Sequence, residues 1–371
     1  MKKEEGNLIN FMEALKNHYN QEYIGKISDA IFSVYSGFDK NRFHCKIFDD
    51  KWHNKELKAR MCHISEVLRV LLPNDYEKAV TILMEATPKM KEVSKHSGFL
   101  NMFCPDFVEN YGLDSWELSM QALKEFTKYS SSEFAIRLFI KKDQDRAMKQ
   151  MQKWTKSENY HVRRLASEGC RPRLPWAIAL NEFKKDPALI LPILEALKDD
   201  ESQYVRRSVA NNLNDIAKDN PRIVIDIAKK WLGENEKRDK LLKHACRTLL
   251  KAGNQEVLAI FGYDGDIEVK EFKVHAEKIK IGENLVFELT VDVKKPAKIR
   301  LEYAIYYLKL NKKHSAKVFQ IKEGFVKKGE IFLSKKHSLR QMTTRKHYAG
   351  EHLLSLIING KEQKKLSFFL E

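Results

Sequence analysis

Five cysteines are scattered along 371 residues, at positions 45, 62, 104, 170 and 246, odd in number and never in CxxC spacing. That argues against a disulfide frame or a cysteine-built zinc site and for a reducing compartment. Long apolar runs are missing too: nothing approaches the roughly 20 residues needed to span a bilayer. The opening residues, MKKEEGNLINFMEALK, carry charges where a secretion signal needs an apolar stretch. There is no Walker loop, no Rossmann glycine fingerprint, no HExxH and no GxSxG, and no histidine pairs with a carboxylate at metal-ligand spacing. Negative charge is in short supply, with 51 acidic residues against 67 basic ones and a net charge of +16. These absences lead us to expect a soluble cytoplasmic protein with no bound metal. The excess of cations makes a polyanion the expected partner, because lysine and arginine release counterions on meeting one.

What is present changes character along the chain. Segments such as EYIGKISDAIFSVYS, ELKARMCHISEVLRVLL, DYEKAVTILMEA and SWELSMQALKEFTKYSSSEFAIRLFI repeat apolar residues at three- and four-residue steps, which predicts helices burying one face. Breaks are expected at Pro73-Asn74, Pro88, Gly98 and Cys104-Pro105-Asp106. In the middle, Val162-Arg163-Arg164-Leu165, Val205-Arg206-Arg207-Ser208 and Leu242-Lys243-His244-Ala245 superpose at steps of about 43 and about 37 residues. That period suggests stacked HEAT-type helix pairs, one layer lining a concave face. A basic residue at one phase of each repeat, Arg163, Arg206 and Lys243, would then form a stripe suited to a phosphate backbone. The same arginines could equally be salt-bridge partners within their repeats, and spacing does not separate the two roles.

From about residue 267 the pattern alternates: IEVKEFKVH, NLVFELTVDVK, KIRLEYAIYYLKL, AKVFQIKEGFV, HLLSLIIN and KKLSFFL. Asn359-Gly360 between apolar runs is a strong hairpin signal. Six or seven short strands predict an immunoglobulin-like β-sandwich over residues 266–371, after an α-solenoid over residues 1–265. Basic loops are expected at Asn311-Lys312-Lys313-His314 and over residues 335–347, which include Arg345 and Lys346.

The richest stretch is HVRRLASEGCRPRLPW, residues 161–176. It sets Arg163, Arg164, Arg171 and Arg173 around one carboxylate, Glu168. Asp215 follows the second Val-Arg-Arg block at a similar helical phase, and Glu133 opens the run FAIRLFI. Carboxylates in a cationic groove stay ionised, and an ionised carboxylate can stabilise an oxocarbenium-like sugar and orient a water. Each acid can also be an ordinary ion-pair partner. Trp176 ends an extended, proline-containing segment of the kind that lines grooves, whereas Trp231 in IDIAKKWLG reads as core. Cys170, beside arginines but without an evident base, reads as a packing residue.

The blocks SSEFAIRLF, SEGCRPRLPWA, YVRRSVANNLNDIAKDNP and LLKHACRTLLKAGNQEVLAIFGY together resemble the AlkC-type DNA alkylation-repair glycosylases, HEAT-like relatives of the AlkD type. LEYAIYYLKLNKKHSAKVFQIKE and AGEHLLSLIINGK are similar to the immunoglobulin-like domain that many members carry. The resemblance implies hydrolysis of the N-glycosidic bond of cationic N-alkylated bases such as 3-methyladenine, 3-methylcytosine and 1-methyladenine, in double-stranded DNA. It implies no cofactor, no deep base-flipping pocket, and a monomer working at the nucleoid. Glu133, Glu168 and Asp215 match acidic positions tied to catalysis, and Trp176 matches an aromatic at the groove. DNA contacts are expected from Arg163, Arg164, Arg171, Arg173, Arg206, Arg207, Lys243 and Arg247, and from Lys312, Lys313, Arg345 and Lys346 in the second domain. No lysine stands where Schiff-base strand cleavage would need it, so a monofunctional enzyme is expected. A non-enzymatic HEAT module binding nucleic acid or protein through the same groove is the competing reading. An extracellular adhesin, suggested by the sandwich, fits poorly with the cysteine usage.

Overall fold

The computed structural model describes residues 15–90, 97–341 and 346–371. The chain folds as two compact units, Met1–Asn220 with Asn235–Ala245, and Pro221–Glu234 with Cys246–Glu371. The first unit is helical: α1 (Gln21–Phe32), α2 (Lys40–Ile47), α3 (Leu57–Leu71), α4 (Tyr76–Met90), α5 (Ser97–Leu100), α6 (Phe103–Tyr111), α7 (Trp116–Phe126), α8 (Ile136–Lys142), α9 (Gln144–Trp154), α10 (Tyr160–Glu168), α11 (Asn181–Lys185), α12 (Leu191–Leu197), α13 (Gln203–Ile216) and, after an excursion into the second unit, α15 (Glu236–Ala245). No break occurs at Pro88: α4 runs through it to Met90, without the bond that an N–H at 88 would give to the carbonyl four residues back.

The internal repeat is a structural one. α10 packs on α13 and α13 on α15, forming one layer, while α9 and α12 pack against this layer from behind. Val162, Val205 and Leu242, the superposed aliphatic positions, are all fully buried. Each repeat therefore buries the same face, and the polar face that follows it by one or two residues recurs in register.

The second unit joins α14 (Pro221–Trp231), α16 (Arg247–Lys251) and α17 (Gln255–Ile260) to eight strands. These are β1 (Ile267–Val274), β2 (Lys278–Ile279), β3 (Asn284–Val293), β4 (Ala297–Leu308), β5 (His314–Val326), β6 (Gly329–Ser338), β7 (Gly350–Ile358) and β8 (Lys361–Leu370). One sheet has the order β1-β3-β6 and the other β2-β8-β7-β4-β5. In β3 every second residue, from Leu285 to Val293, is fully buried. These side chains form one core with Ile299, Leu301 and Ile305 of β4 and Leu354 and Leu356 of β7, as expected of two sheets sharing a core. Asn359 and Gly360 both take positive φ, 47° and 73°, between β7 and β8, the turn their sequence calls for. The sequence reading missed β6. Part of the expected basic loop is this strand, with Lys335 and Lys336 paired to Phe287 and Val286 of β3. Lys336 is exposed, but Lys335 lies on the inner face opposite the buried Phe287, so a charge stands where the apolar alternation of Ile331 and Leu333 should continue.

Candidate functional site

Asn159 starts α10 by accepting a bond from the backbone N–H of His161 at 2.9 Å, the usual way a helix satisfies its first donors. The helix ends at Glu168 and Gly169. A Cβ at position 169 would lie 2.5 Å from Ile136 Cγ2, so only glycine lets the end of α10 settle against α8. Two residues on, Arg171 folds back over the helix end. Its Nη1 donates to Glu168 Oε1 at 2.6 Å, and its Nε donates to Asp215 Oδ2 at 2.9 Å on α13. Arg164, one turn before Glu168, lies 3.4 Å from Glu168 Oε1 through Nη2 and bonds Glu133 and the Ser131 hydroxyl through Nη1. Its guanidinium also lies 4.9 Å from the ring centre of Tyr204. Lys218 closes the far end at 3.2 Å from Asp215 Oδ1.

The three acids picked out in the sequence are thus one structure, an alternating chain Glu133–Arg164–Glu168–Arg171–Asp215–Lys218. Glu168 and Asp215 are buried, at 5% and 2% exposure, and Glu133 is more open. Burial pushes the Glu168 carboxyl up. Arg164, Arg171 and a bond with Ser208 more than offset this, leaving it below the ordinary carboxylate range. From Glu133 to Asp215 the groups carry one net negative charge, which Lys218 at the far end of the chain offsets.

The four arginines of residues 161–176 do not form a free cationic patch. Arg163, expected on an exposed stripe, is buried. It bonds Asp200 through Nε at 2.6 Å and reaches the carbonyls of Ser157 and Glu158. Arg206, at the same phase, likewise donates to the carbonyls of Asp200 and Glu201. Both therefore brace the loop preceding their own helix, because the phase that repeats also repeats the nearest carbonyls. Arg173 is exposed and binds Asp219 through Nε and Nη2, at 3.0 and 2.6 Å. Arg207 and Lys243 are exposed on α13 and α15, and Arg207 lines a cleft of about 480 Å³ with Arg206, Lys237, Lys240 and His244. In the second unit Arg247 is half-buried on α16, Lys312 and Lys313 are exposed at the β4–β5 turn, and Lys346 is exposed. Arg345 lies outside the described residues.

Trp176 sits in the left-handed region at φ 64°, unusual for a bulky residue. Such strain persists only where the surroundings over-determine it, and two neighbours do so. Lys58 Nζ of α3 donates to the Trp176 carbonyl at 3.1 Å, and Phe99 meets its ring edge-on at 6.2 Å between centroids. The indole, 47% exposed, helps wall an apolar cavity of about 310 Å³ with Tyr19, Met61, Phe99 and Phe134. Phe134 follows Glu133, so the cavity adjoins the acidic chain.

Sequence reasoning missed Arg137. It is fully buried and donates from Nε to Ile178 O at 2.7 Å and from Nη1 to the carbonyls of Gly169 and Arg171 at 2.9 and 2.8 Å. It therefore ties both ends of the loop that carries Arg171 and Trp176. Burial lowers its pKa to about 10, which still leaves it charged. The signal was a lone cation inside the apolar run FAIRLFI. Cys170 is buried with its thiol pushed up to about 12 by burial, which suits a packing residue. Among the described residues no three histidine, cysteine or acidic side chains are grouped as metal ligands would be.

Comparison with known proteins follows this geometry. The model of the DNA alkylation repair enzyme family matches residues 109–256, and that of the C-terminal Ig-like domain of the uncharacterised protein YhaZ matches residues 268–371. The uncharacterised protein YhaZ of Bacillus subtilis (strain 168) is 43% identical over 360 residues, which is 96% of this chain and 99% of that protein. The structure of the Pseudomonas fluorescens alkylpurine DNA glycosylase AlkC, bound to DNA containing an abasic site analogue, is 37% identical. It superposes with a TM-score of 0.91 over 96% of this chain and 99% of that one.

Proposed function

The chain belongs to the DNA alkylation repair enzyme family, and from that premise we propose that it is a monofunctional DNA glycosylase for cationic N-alkylated bases. Its substrates are 3-methyladenine, 3-methylcytosine and 1-methyladenine in duplex DNA, and it works as a monomer in the cytoplasm at the nucleoid. Such a base already carries the positive charge that makes it leave, so no general acid is required. The bond from C1′ to the base nitrogen breaks, the electron pair goes to the base, and the base departs neutral. Positive charge then develops on the sugar. A water oxygen bonds to C1′ and its proton passes to a carboxylate. The observation that carries this reading is the grouping of three carboxylates, Glu133, Glu168 and Asp215, held in place by Arg164 and Arg171. A preorganised negative site stabilises a developing cation without reorganising during the reaction.

In this reading Arg164 and Arg171 aim the acids, Arg163 braces their helix, and Trp176 meets the lesion at the groove. Arg173, Arg206, Arg207 and Lys243 face the backbone in the helical domain, residues 1–265. Arg247, in the second unit, is a further backbone contact in this reading. Lys312, Lys313, Arg345 and Lys346 of the sandwich, residues 266–371, hold the duplex as well. Attack on the sugar proceeds without extruding the base, and the half-exposed Trp176 is accessible to the duplex. Release of methylated bases from alkylated duplex DNA tests the proposal. Glu168→Gln and Asp215→Asn should each lower release by about 100-fold or more, in the range seen when one charge-stabilising group is lost, while binding to undamaged duplex is kept. Absence of release by the parent, with binding retained, would leave the non-enzymatic binding module.

A further inference from the structure

A second cationic surface lies away from the acidic chain. α7 and α9 flank an open groove of about 1130 Å³ that ends at Asn159, the cap of α10. Its rims carry Lys124, Lys128, Arg146, Lys149, Lys153 and Lys156, against three carboxylates, Glu117, Glu125 and Glu158. Arg146 pairs with Glu117 at 2.5 Å and stacks 4.4 Å over Trp116, and Lys128 pairs with Glu125 at 2.7 Å. Lys124, Lys149, Lys153 and Lys156 pair with no carboxylate within 4.0 Å among the described residues, and Lys149, Lys153 and Lys156 are exposed. The floor is apolar, formed by Met120 and Trp154.

The spacing is ordered. Lys149 and Lys153 stand one turn apart on α9, with Lys156 just beyond. Lys124 lies in the last turn of α7 and Lys128 two residues past its end. Basic residues thus line both rims of the groove, those on α9 stepped by about 5.4 Å along the helix. On a solvated surface such rows would ordinarily be interleaved with acids at three- and four-residue steps. Here α9 offers none between Lys149 and Lys156.

We propose that this groove binds the phosphate backbone of duplex DNA flanking the lesion, adding a sequence-independent grip beyond the site itself. Charge complementarity points to a polyanion. DNA is the polyanion that the proposed function brings to this protein, and the groove ends at Asn159, the cap of the helix that carries Arg164 and Glu168. Lysines act as mobile point charges and read no bases, which suits a contact that must serve any sequence. The inference takes its ligand from the proposed function, but not the chemistry.

The test replaces Lys124, Lys149, Lys153 and Lys156 together with alanine in the full chain, with a melting curve to confirm folding. Binding of undamaged duplexes of about 10 and about 30 base pairs is measured across a salt series. The slope of log affinity against log salt should fall by about 2 to 4 for the long duplex, since each phosphate contact contributes about 0.9. Affinity for the long duplex should fall by about 10-fold or more, with little change for the short one. Base release at saturating DNA should equal that of the parent. Unchanged slopes for the long duplex overturn the groove assignment, and so does an equal loss on both lengths. A parent that binds long duplex through the groove but releases no base removes the glycosylase and leaves the groove standing. Normal release with unaltered binding by the variant removes only the groove.

Discussion

Arg171 links carboxylates from two repeats, Glu168 on α10 and Asp215 on α13, with one guanidinium. Removing one partner of a buried ion pair costs far more than the pair contributes net, because the remaining charge loses its compensation. Arg171→Met should therefore lower the unfolding free energy by about 3–5 kcal/mol, read from denaturant melts; a drop well below that would mean the acids find other partners. Glu109, in α6, makes a prediction of the opposite kind. Burial first, then the nearby Asp106, pushes its carboxyl up from 4.5 to about 7, with Lys58 pulling the other way. A raised folded pKa means that the folded state holds a proton the unfolded chain gives up. Stability is then lost as pH rises from the ordinary value to the folded one. Glu109→Gln should remove that loss, stabilising the protein by about 1–3 kcal/mol at about pH 8 and by much less at about pH 5, in paired melts. A gain independent of pH would contradict the assignment. Glu168 has the reverse sign: its lowered carboxyl adds stability above the unfolded value, and that contribution disappears as pH falls through the folded one.

Among the elements, the α16–α17 turn and the β7–β8 hairpin approach closely at Gly253 and Gly360. A Cβ on Gly253 would lie 2.5 Å from the Gly360 carbonyl oxygen, and both glycines have positive φ. Gly253→Ala should thus cost about 2 kcal/mol or more, from strain and displacement together, measurable as a lowered melting temperature. An unchanged melting temperature would show that the turn can move aside. Much of this level was legible in the sequence. Helices with regular apolar spacing emerged as expected, as did strands bounded by turn residues and the Asn-Gly hairpin. β6 was not legible because Lys335 takes an inward position and interrupts the apolar alternation, and the α16–α17 contact with the hairpin has no local signature. Glu168 and Asp215 could be grouped because they lie at similar phases of stacked helices, whereas Glu133 joined them only through the family resemblance. Arg137, Lys58 and the lysine groove escaped because their partners lie far away in sequence: Arg137 meets Ile178, and Lys58 meets Trp176. Spacing within a segment carries no information about such pairs.

On the scale of the whole molecule, the break between compact units does not coincide with the change from helix to strand. α14, α16 and α17 belong with the sandwich. Within that unit Lys298 Nζ donates to the Phe261 carbonyl at 2.8 Å, Tyr263 bonds Glu323, and Gln255 lies near the Asn359 carbonyl at 3.4 Å. Deleting residues 267–371 should therefore lower the melting temperature of what remains as well as weaken DNA binding. A truncated chain that melts like the parent would show that these helices hold their fold without the strands. Lys312→Ala with Lys313→Ala tests the sandwich's grip on DNA without that disruption. It should flatten the salt dependence by about 1 to 2 in slope, with stability unchanged. The alternating chain from Glu133 to Asp215 has a further consequence, for heredity rather than energy. Each acid in it neutralises an arginine that would otherwise be stranded, so single changes are penalised at both ends and double changes are not additive. The five positions should be inherited as a set, and a descendant that abandons the chemistry should lose arginines and acids together rather than one at a time.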